Sequence, residues 1–347
     1  MRVLVVGCGA IGGVVASSLA SLGLDTSVLT TNQQIAAALR EHGFRFCGES
    51  AQPAVAIPGD HVLEELSPAV EAFDVALLAT QPPQVEDAAR GILGHLKPGS
   101  RVVCFQNGLC EERIAPIVGA ERVVGAVVAW GASMPEPGVY DRTSAGGFTL
   151  GRLAGQPDSS LEELSRALES VGPVNSTQNL AGVRWSKLAI NCAISTLGTI
   201  GGDRLGVLMR KRHVRRLALE IMTEVVRVAQ HEGVQLEKVS GTIDLEWIAL
   251  TPSEAAASGS PSLLAKHSLL LAVGTRYRRL RSSMLAAIER GRPPAVDFLN
   301  GEIIRRGEQA GIPTLINQAA RERVWQISRG ESPATHQGLR ALYDQTR

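Results

Sequence analysis

Two stretches of this 347-residue chain carry residue types at spacings that suit chemistry. The first is Gly7-Cys8-Gly9-Ala10-Ile11-Gly12, a GxGxxG directly after the apolar run Val3–Val6. Following a buried strand and opening a helix, the three glycines have separate tasks. The first makes a tight turn, the second lets a pyrophosphate approach the backbone, and the third lets helix and strand pack closely. The helix N-terminus then offers free N–H groups and a partial positive charge to phosphate oxygens. The second stretch is Trp185-Ser186-Lys187-Leu188-Ala189-Ile190-Asn191-Cys192-Ala193-Ile194-Ser195. Lys187, Asn191 and Ser195 stand at i, i+4 and i+8 and share one helix face. A lysine among apolar neighbours can donate to a carbonyl oxygen while the carbon takes a hydride. Asn191 and Ser195 can hydrogen-bond a carboxylate or hydroxyl. Spacing alone fits a solvated helix face equally well, although such faces usually carry Glu and Lys.

Other residues bear on the ligand. NAD-binding folds usually place an acid at the end of the second strand, about 20 residues after the glycines, to hold the ribose 2′-OH. Here that strand ends in Thr30-Thr31-Asn32, with no carboxylate to repel a 2′-phosphate and no arginine to attract one. The missing acid favours NADP (NADPH) and leaves NAD open. Arg204, Arg210, Lys211, Arg212, Arg215 and Arg216 read as a solvated helix start, and Arg276, Arg278, Arg279 and Arg281 as a second basic cluster near Ser282-Ser283. The seven histidines form no HxH or HxxxH pair, so no metal site is expected. His267 reads as a helix-surface residue, and Trp130 as either core or a cap over the cofactor edge. The five cysteines (Cys8, Cys47, Cys104, Cys110, Cys192) contain no CxxC and read as reduced core fillers of a cytoplasmic protein.

The elements that must position these residues follow from periodicity. Strands are expected over Val3–Val6, Thr26–Leu29, Asp74–Ala79, Arg101–Phe105, Val123–Val128 and Gly147–Gly151. Helices are expected over Gly12–Leu22, Gln33–His42 and Pro83–Leu96, the last stopped by Lys97-Pro98-Gly99. A helix over Leu161–Val171 and an edge strand over Pro173–Ser176 close this half. Such alternation implies a doubly wound, mainly parallel sheet. From about residue 180 the period is helical: Leu180–Ile200, His213–Gly233, Leu263–Ala287, Val296–Ala310 and Leu315–Ser328. Residues 251–262 read as loop. Two domains are therefore expected, 1–178 for the dinucleotide and 179–347 as a helical substrate domain. Apolar residues at 44% and charged residues at 20% exclude long disorder. The 35 basic and 34 acidic residues leave a net charge of +1, which argues against nucleic acid or anionic membrane as a partner. No apolar stretch is long enough to span a bilayer. The Leu- and Ala-rich second half is compatible with a homodimer.

Taken in order, Gly7–Gly12, Gln106-Asn107-Gly108, Trp185–Asn191, Ser282-Ser283-Met284 and Asp297-Phe298-Leu299-Asn300-Gly301 resemble the ketopantoate reductase (2-dehydropantoate 2-reductase) family over nearly the whole chain. The resemblance implies an α/β N-terminal Rossmann domain and an all-α C-terminal domain. It implies reduction of a 2-keto acid by NADPH between them. Carried over by position, Lys187 is the catalytic lysine. Asn107 contacts cofactor and substrate, and Asn191, Ser195 and Ser283 are on the substrate side. Gly7, Cys8, Gly9, Ala10, Ile11, Gly12, Thr31, Gln81, Asn107 and Ala132 are on the cofactor side. The chain departs from the family pattern at four positions. Thr31 replaces a basic residue, Gln81 a lysine, Ser195 an asparagine, and Ala295 a glutamate two residues before Asp297. A surplus segment, placed between Gly241 and Arg281, precedes Ser283. These departures keep two further readings open. One is the same chemistry on a larger keto acid or an imine, and the other is a non-catalytic NADP-binding sensor.

Overall fold

The computed structural model describes residues 1–154, 159–239, 243–256 and 259–346. The chain divides into two compact units, Met1–Leu180 and Ala181–Arg347. The first contains β1 (Arg2–Val6), α1 (Ala10–Ser21), β2 (Asp25–Leu29), α2 (Gln33–His42), β3 (Arg45–Phe46), β4 (Val62–Leu63), β5 (Phe73–Leu78), α3 (Val85–Ile92) and β6 (Leu96–Cys104). It continues with α4 (Cys110–Val118), β7 (Val123–Val128), β8 (Ser133–Glu136), β9 (Val139–Asp141), β10 (Phe148–Arg152), α5 (Ser159–Leu168) and β11 (Val174–Ser176). The main sheet runs β11-β10-β7-β6-β5-β1-β2-β4. The strands from β4 to β7 are parallel. The order reverses between β1 and β5, the switch point of a Rossmann fold. The sheet is mainly parallel, as expected; its exception is β10, the strand expected at 147–151, which is antiparallel to β7, with β11 parallel to β10 at the edge.

Lys97-Pro98-Gly99 does not stop a helix. It lies inside β6, where Phe73 pairs with Leu96 but Val75 pairs with Arg101. Proline has no N–H for a ladder, and Gly99 takes φ +76°, so both sit in the irregular part of the strand. The helix ahead of them shrinks to α3, flanked by single 3₁₀ turns. Sequence periodicity also missed β3, β8 and β9, which form a separate three-stranded sheet in the order β3-β9-β8. Tyr140 of β9 is fully buried there. Its hydroxyl donates to the Cys8 carbonyl at 3.1 Å and lies 3.4 Å from the Cys8 sulfur. Its ring explains a glycine outside the GxGxxG, because a Cβ on Gly13 would lie 2.0 Å from the Tyr140 ring.

The second unit is helical: α6 (Leu180–Gly201), α7 (Leu205–Leu208), α8 (Arg212–His231), α9 (Leu245–Ile248), α10 (Pro252–Ala256), α11 (Pro261–Arg276), α12 (Ser283–Ile288), α13 (Asn300–Ala310), α14 (Leu315–Ser328) and α15 (His336–Gln345). The central helix is α8, which packs against α9, α11, α13, α14 and α15. Three expectations change here. The helix expected over Leu263–Ala287 is broken after Arg276 and resumes at Ser283, with Ser282 as its cap. The expected loop 251–262 contains α10 and the start of α11. Thr251 and Glu254 form a reciprocal cap, with Thr251 N–H donating to Glu254 Oε2 at 2.9 Å and Glu254 N–H to Thr251 Oγ1 at 3.3 Å. His267 is buried on α11, not on its surface. Arg216, expected in a solvated cluster, is also buried, and it donates to the carbonyls of Glu254 and Ala255. Of the surplus segment, residues 241–242 and 257–258 lie outside the described residues.

A Gly13→Ala variant should be destabilised by about 1–3 kcal/mol in urea unfolding, since a packed ring must move. Added to Tyr140→Ala, the same change should cost much less, because the cavity admits the methyl. Equal costs in both backgrounds would mean that the ring does not dictate the glycine.

Candidate functional site

In the first unit, the cofactor-side candidates sit at or just beyond the carboxyl ends of parallel strands. Gly7–Gly12 follow β1, Thr31 follows β2, Gln81 follows β5, Asn107 follows β6 and Ala132 follows β7. This is the edge at which doubly wound sheets bind ligands. Gly7 has φ +93°, and a Cβ there would lie 2.9 Å from the Thr80 nitrogen. A Cβ on Gly12 would lie 1.9 Å from the Gly7 oxygen, so strand, loop and helix are in backbone contact. Gly9 differs: a Cβ there would meet nothing within 4 Å. It is the N-cap of α1, with no side chain capping the helix and no acid in its first turn. The open space beside uncapped N–H groups fits a pyrophosphate.

Other side chains hold this edge in place. Gln106, which spacing did not single out, donates to the Thr80 carbonyl at 3.2 Å and hydroxyl at 3.3 Å, tying the end of β6 to that of β5. Asn32 accepts from the Ile35 N–H at 3.0 Å and caps α2, so its oxygen is committed, while Thr31, Gln81 and Asn107 are exposed. Cys8 is buried and its thiol is pushed up to about 12 by desolvation, which fits a filler rather than a nucleophile. Trp130 is core, edge-to-face with Phe148.

In the second unit, Lys187, Asn191 and Ser195 lie along one face of α6. All three are half-buried, whereas Leu188, Ala189, Cys192 and Ala193 face inward. Burial, then the Arg184 charge, pulls the Lys187 ammonium down from 10.5 to about 7. One turn on, Asn191 Nδ2 is buried without a hydrogen-bond partner among the described residues. At the next turn Ser282 donates to the Ser195 carbonyl at 2.9 Å and lies 2.8 Å from the Thr199 hydroxyl. That places exposed Ser283, the first residue of α12, beside the Ser195 end of the stripe.

The opposite face of α6 is held by a buried polar chain. Asn300 Oδ1 accepts from Thr196 Oγ1 at 2.6 Å, and its Nδ2 donates to the Cys192 carbonyl at 3.2 Å and to Asn317 Oδ1 at 2.8 Å. Asn317 Nδ2 donates to Glu224 Oε2 at 2.7 Å. The Glu224 carboxylate also accepts from the N–H groups of Ile316 and Asn317, both at 2.9 Å, at the start of α14. Desolvation nevertheless raises its pKa. Asn317 and Glu224 were not singled out from sequence, since nothing local marks them. Asp297 accepts from Arg321 Nε at 2.6 Å and Trp325 Nε1 at 3.1 Å. Half-buried Ala295 stands two residues before it. Ser186 donates to the Glu237 carbonyl at 2.7 Å, and Arg306 lies over the Trp185 ring, so these two residues anchor α6.

Comparison with known proteins gives consistent matches. Residues 3–155 match the family profile described as ketopantoate reductase PanE/ApbA, and residues 179–327 match that of its C-terminal region. The chain is 24% identical over 323 residues to a 2-dehydropantoate 2-reductase of Pyrococcus horikoshii, covering 91% of this chain and 94% of the relative. It is 26% identical to one of Vibrio cholerae, covering 96% and 100%. Among solved structures it is similar to a PanE/ApbA family ketopantoate reductase from Ralstonia eutropha, at TM-score 0.78 and 25% identity, covering 95% of this chain and 99% of that one. A D-mandelate dehydrogenase solved with NADH and anilino(oxo)acetate shares the fold at TM-score 0.79 and 20% identity, with the same coverage.

Replacing Asn300 by Ala leaves the amide and hydroxyl groups of Asn317 and Thr196 without their buried partner. The expected cost in denaturant unfolding is about 2–3 kcal/mol. An unchanged midpoint would show that this chain does not fix α6.

Proposed function

The chain belongs to the ketopantoate reductase family, and from that membership we propose that it reduces a 2-keto acid to the 2-hydroxy acid with NADPH. It is an oxidoreductase acting on a CH–OH group. The reading rests above all on one observation: a buried amide donor with no partner, Asn191 Nδ2, stands one helical turn from a lysine whose pKa is about 7.

In this reading the N–H groups at the start of α1 and the open space over Gly9 hold the pyrophosphate, with Gln81, Asn107 and Ala132 along the same edge. The missing carboxylate at Thr30-Thr31-Asn32 supports NADPH over NADH. Bound there, the dihydronicotinamide supplies the hydride. Lys187 donates a hydrogen bond to the keto oxygen and then its proton as negative charge develops on that oxygen. A pKa near neutrality suits this task, because the acid is present at pH 7 and gives up its proton readily. Asn191 donates to the substrate's carboxylate or hydroxyl, and Ser195 and Ser283 extend the same polar row.

Ser195 and Ala295, where the family carries asparagine and glutamate, favour a bulkier or less polar acid than ketopantoate. NADPH oxidation with ketopantoate, beside a panel of larger keto acids and imines, tests the substrate. Tight NADPH binding with no turnover on any of them would instead favour a sensor. Ala295→Glu should raise ketopantoate turnover if the native substrate is another acid, and a loss of that turnover would count against the idea.

Lys187→Ala should lower turnover at least about a hundredfold while NADPH still binds, since one donor to a developing oxyanion is worth about 3–4 kcal/mol. Near-normal turnover would remove Lys187 from the mechanism. Because the protonated lysine is the active form, kcat/KM for reduction should fall as pH rises through about 7. A flat profile from pH 6 to pH 9, on the order of the range where this group titrates, would exclude it as the acid.

A further inference from the structure

The segment that opens α11 faces the first turn of α8. Ser260 accepts from the Leu263 N–H at 3.0 Å, and Pro261 takes the first helical position. Between the two helix starts lies a groove of about 560 Å³, lined by Arg212, Arg215, Pro261, Leu263, Leu264 and His267. That volume is in the range of small-molecule sites. No Asp or Glu lines it among the described residues. Arg215 gives Nη1 to the carbonyls of Met209 and Arg210, which fixes its guanidinium, and its Nε has no partner.

His267 is the second, independent observation. It is only 6% exposed, it lines the groove, and its Nδ1 has no hydrogen-bond partner among the described residues. Burial and then the guanidinium groups of Arg215, Arg212 and Arg216 push its pKa down to about 4. The ring is therefore neutral at pH 7 and can offer one N–H, while the positive charge around it comes from arginine. The rim is apolar: Leu264 is 68% exposed beside Pro261. Two helix N-termini add partial positive charge at the same end. Arginines, a buried imidazole and an apolar rim together match an anion that carries hydrocarbon.

We propose that this groove binds an organic oxyanion with an apolar body, its carboxylate or phosphate-ester head against Arg212, Arg215 and His267 and its hydrocarbon over Pro261 and Leu264. The site shares no residue with the α6 stripe and does not depend on the reductase reading, because binding alone tests it. Calorimetric titration of the full chain with octanoate, octyl phosphate and inorganic phosphate is the experiment. At least one octyl ligand should bind saturably at one site, and the tighter of the two identifies the head group. Arg212→Gln and Leu264→Glu should each weaken it at least about tenfold, Asn191→Ala should leave it unchanged, and inorganic phosphate should bind at least about tenfold more weakly. Thermal melts of both variants report whether they fold, and Leu264→Glu changes only an exposed side chain. No saturable binding up to about 10 mM would overturn the proposal. So would binding lost in Asn191→Ala but unaltered in Arg212→Gln and Leu264→Glu, or phosphate binding as tightly as octyl phosphate.

Discussion

The rotation of α6 about its own axis depends on one buried amide, Asn300. It touches the helix twice, at the Thr196 hydroxyl and the Cys192 carbonyl, and passes the constraint through Asn317 to Glu224 on α8. Hydrogen bonds among buried polar groups are directional and costly to break, so they fix a helix face more sharply than apolar contacts do. With Cys192 and Thr196 turned inward, Lys187, Asn191 and Ser195 must fall on the other side. The Glu224 carboxylate completes the chain by accepting the N–H groups that open α14. A negative group at a helix N-terminus is favourable, which offsets part of the cost of burying it.

The first unit uses a different means of positioning. Its loop is shaped by what cannot be there: a side chain on Gly7 or Gly12 would strike backbone, and one on Gly13 would strike Tyr140. Tyr140 arrives from a small sheet outside the main one and hydrogen-bonds the Cys8 carbonyl. The glycine-rich loop is therefore supported from behind by an aromatic ring and left open at Gly9.

Much of this was legible in the sequence because its causes are local. The strand–glycine–helix order is written in consecutive residues. The bounds of α2 follow from an Asn32 cap and a Gly43 stop with φ +65°. The polar stripe on α6 needed only a count of four. The family pattern then marked Asn300, although as a motif letter without a reason; the structure supplies the reason. What stayed hidden is non-local. Nothing near Tyr140 reveals that it serves a loop 132 residues away. His267 reads as surface because its buried neighbours lie on another helix. The helix start at Thr251-Pro252-Ser253-Glu254 was present as a capping pattern, but the small residues around it read as loop.

The Lys187 pKa has a consequence for direction. A group that is half protonated near pH 7 serves a ketone as an acid and an alcohol as a base with similar ease. Under the proposed chemistry, neither protonation state of this lysine commits the enzyme to one direction. Which way the reaction runs is then set outside the protein, by the ratio of reduced to oxidised cofactor and of keto acid to hydroxy acid.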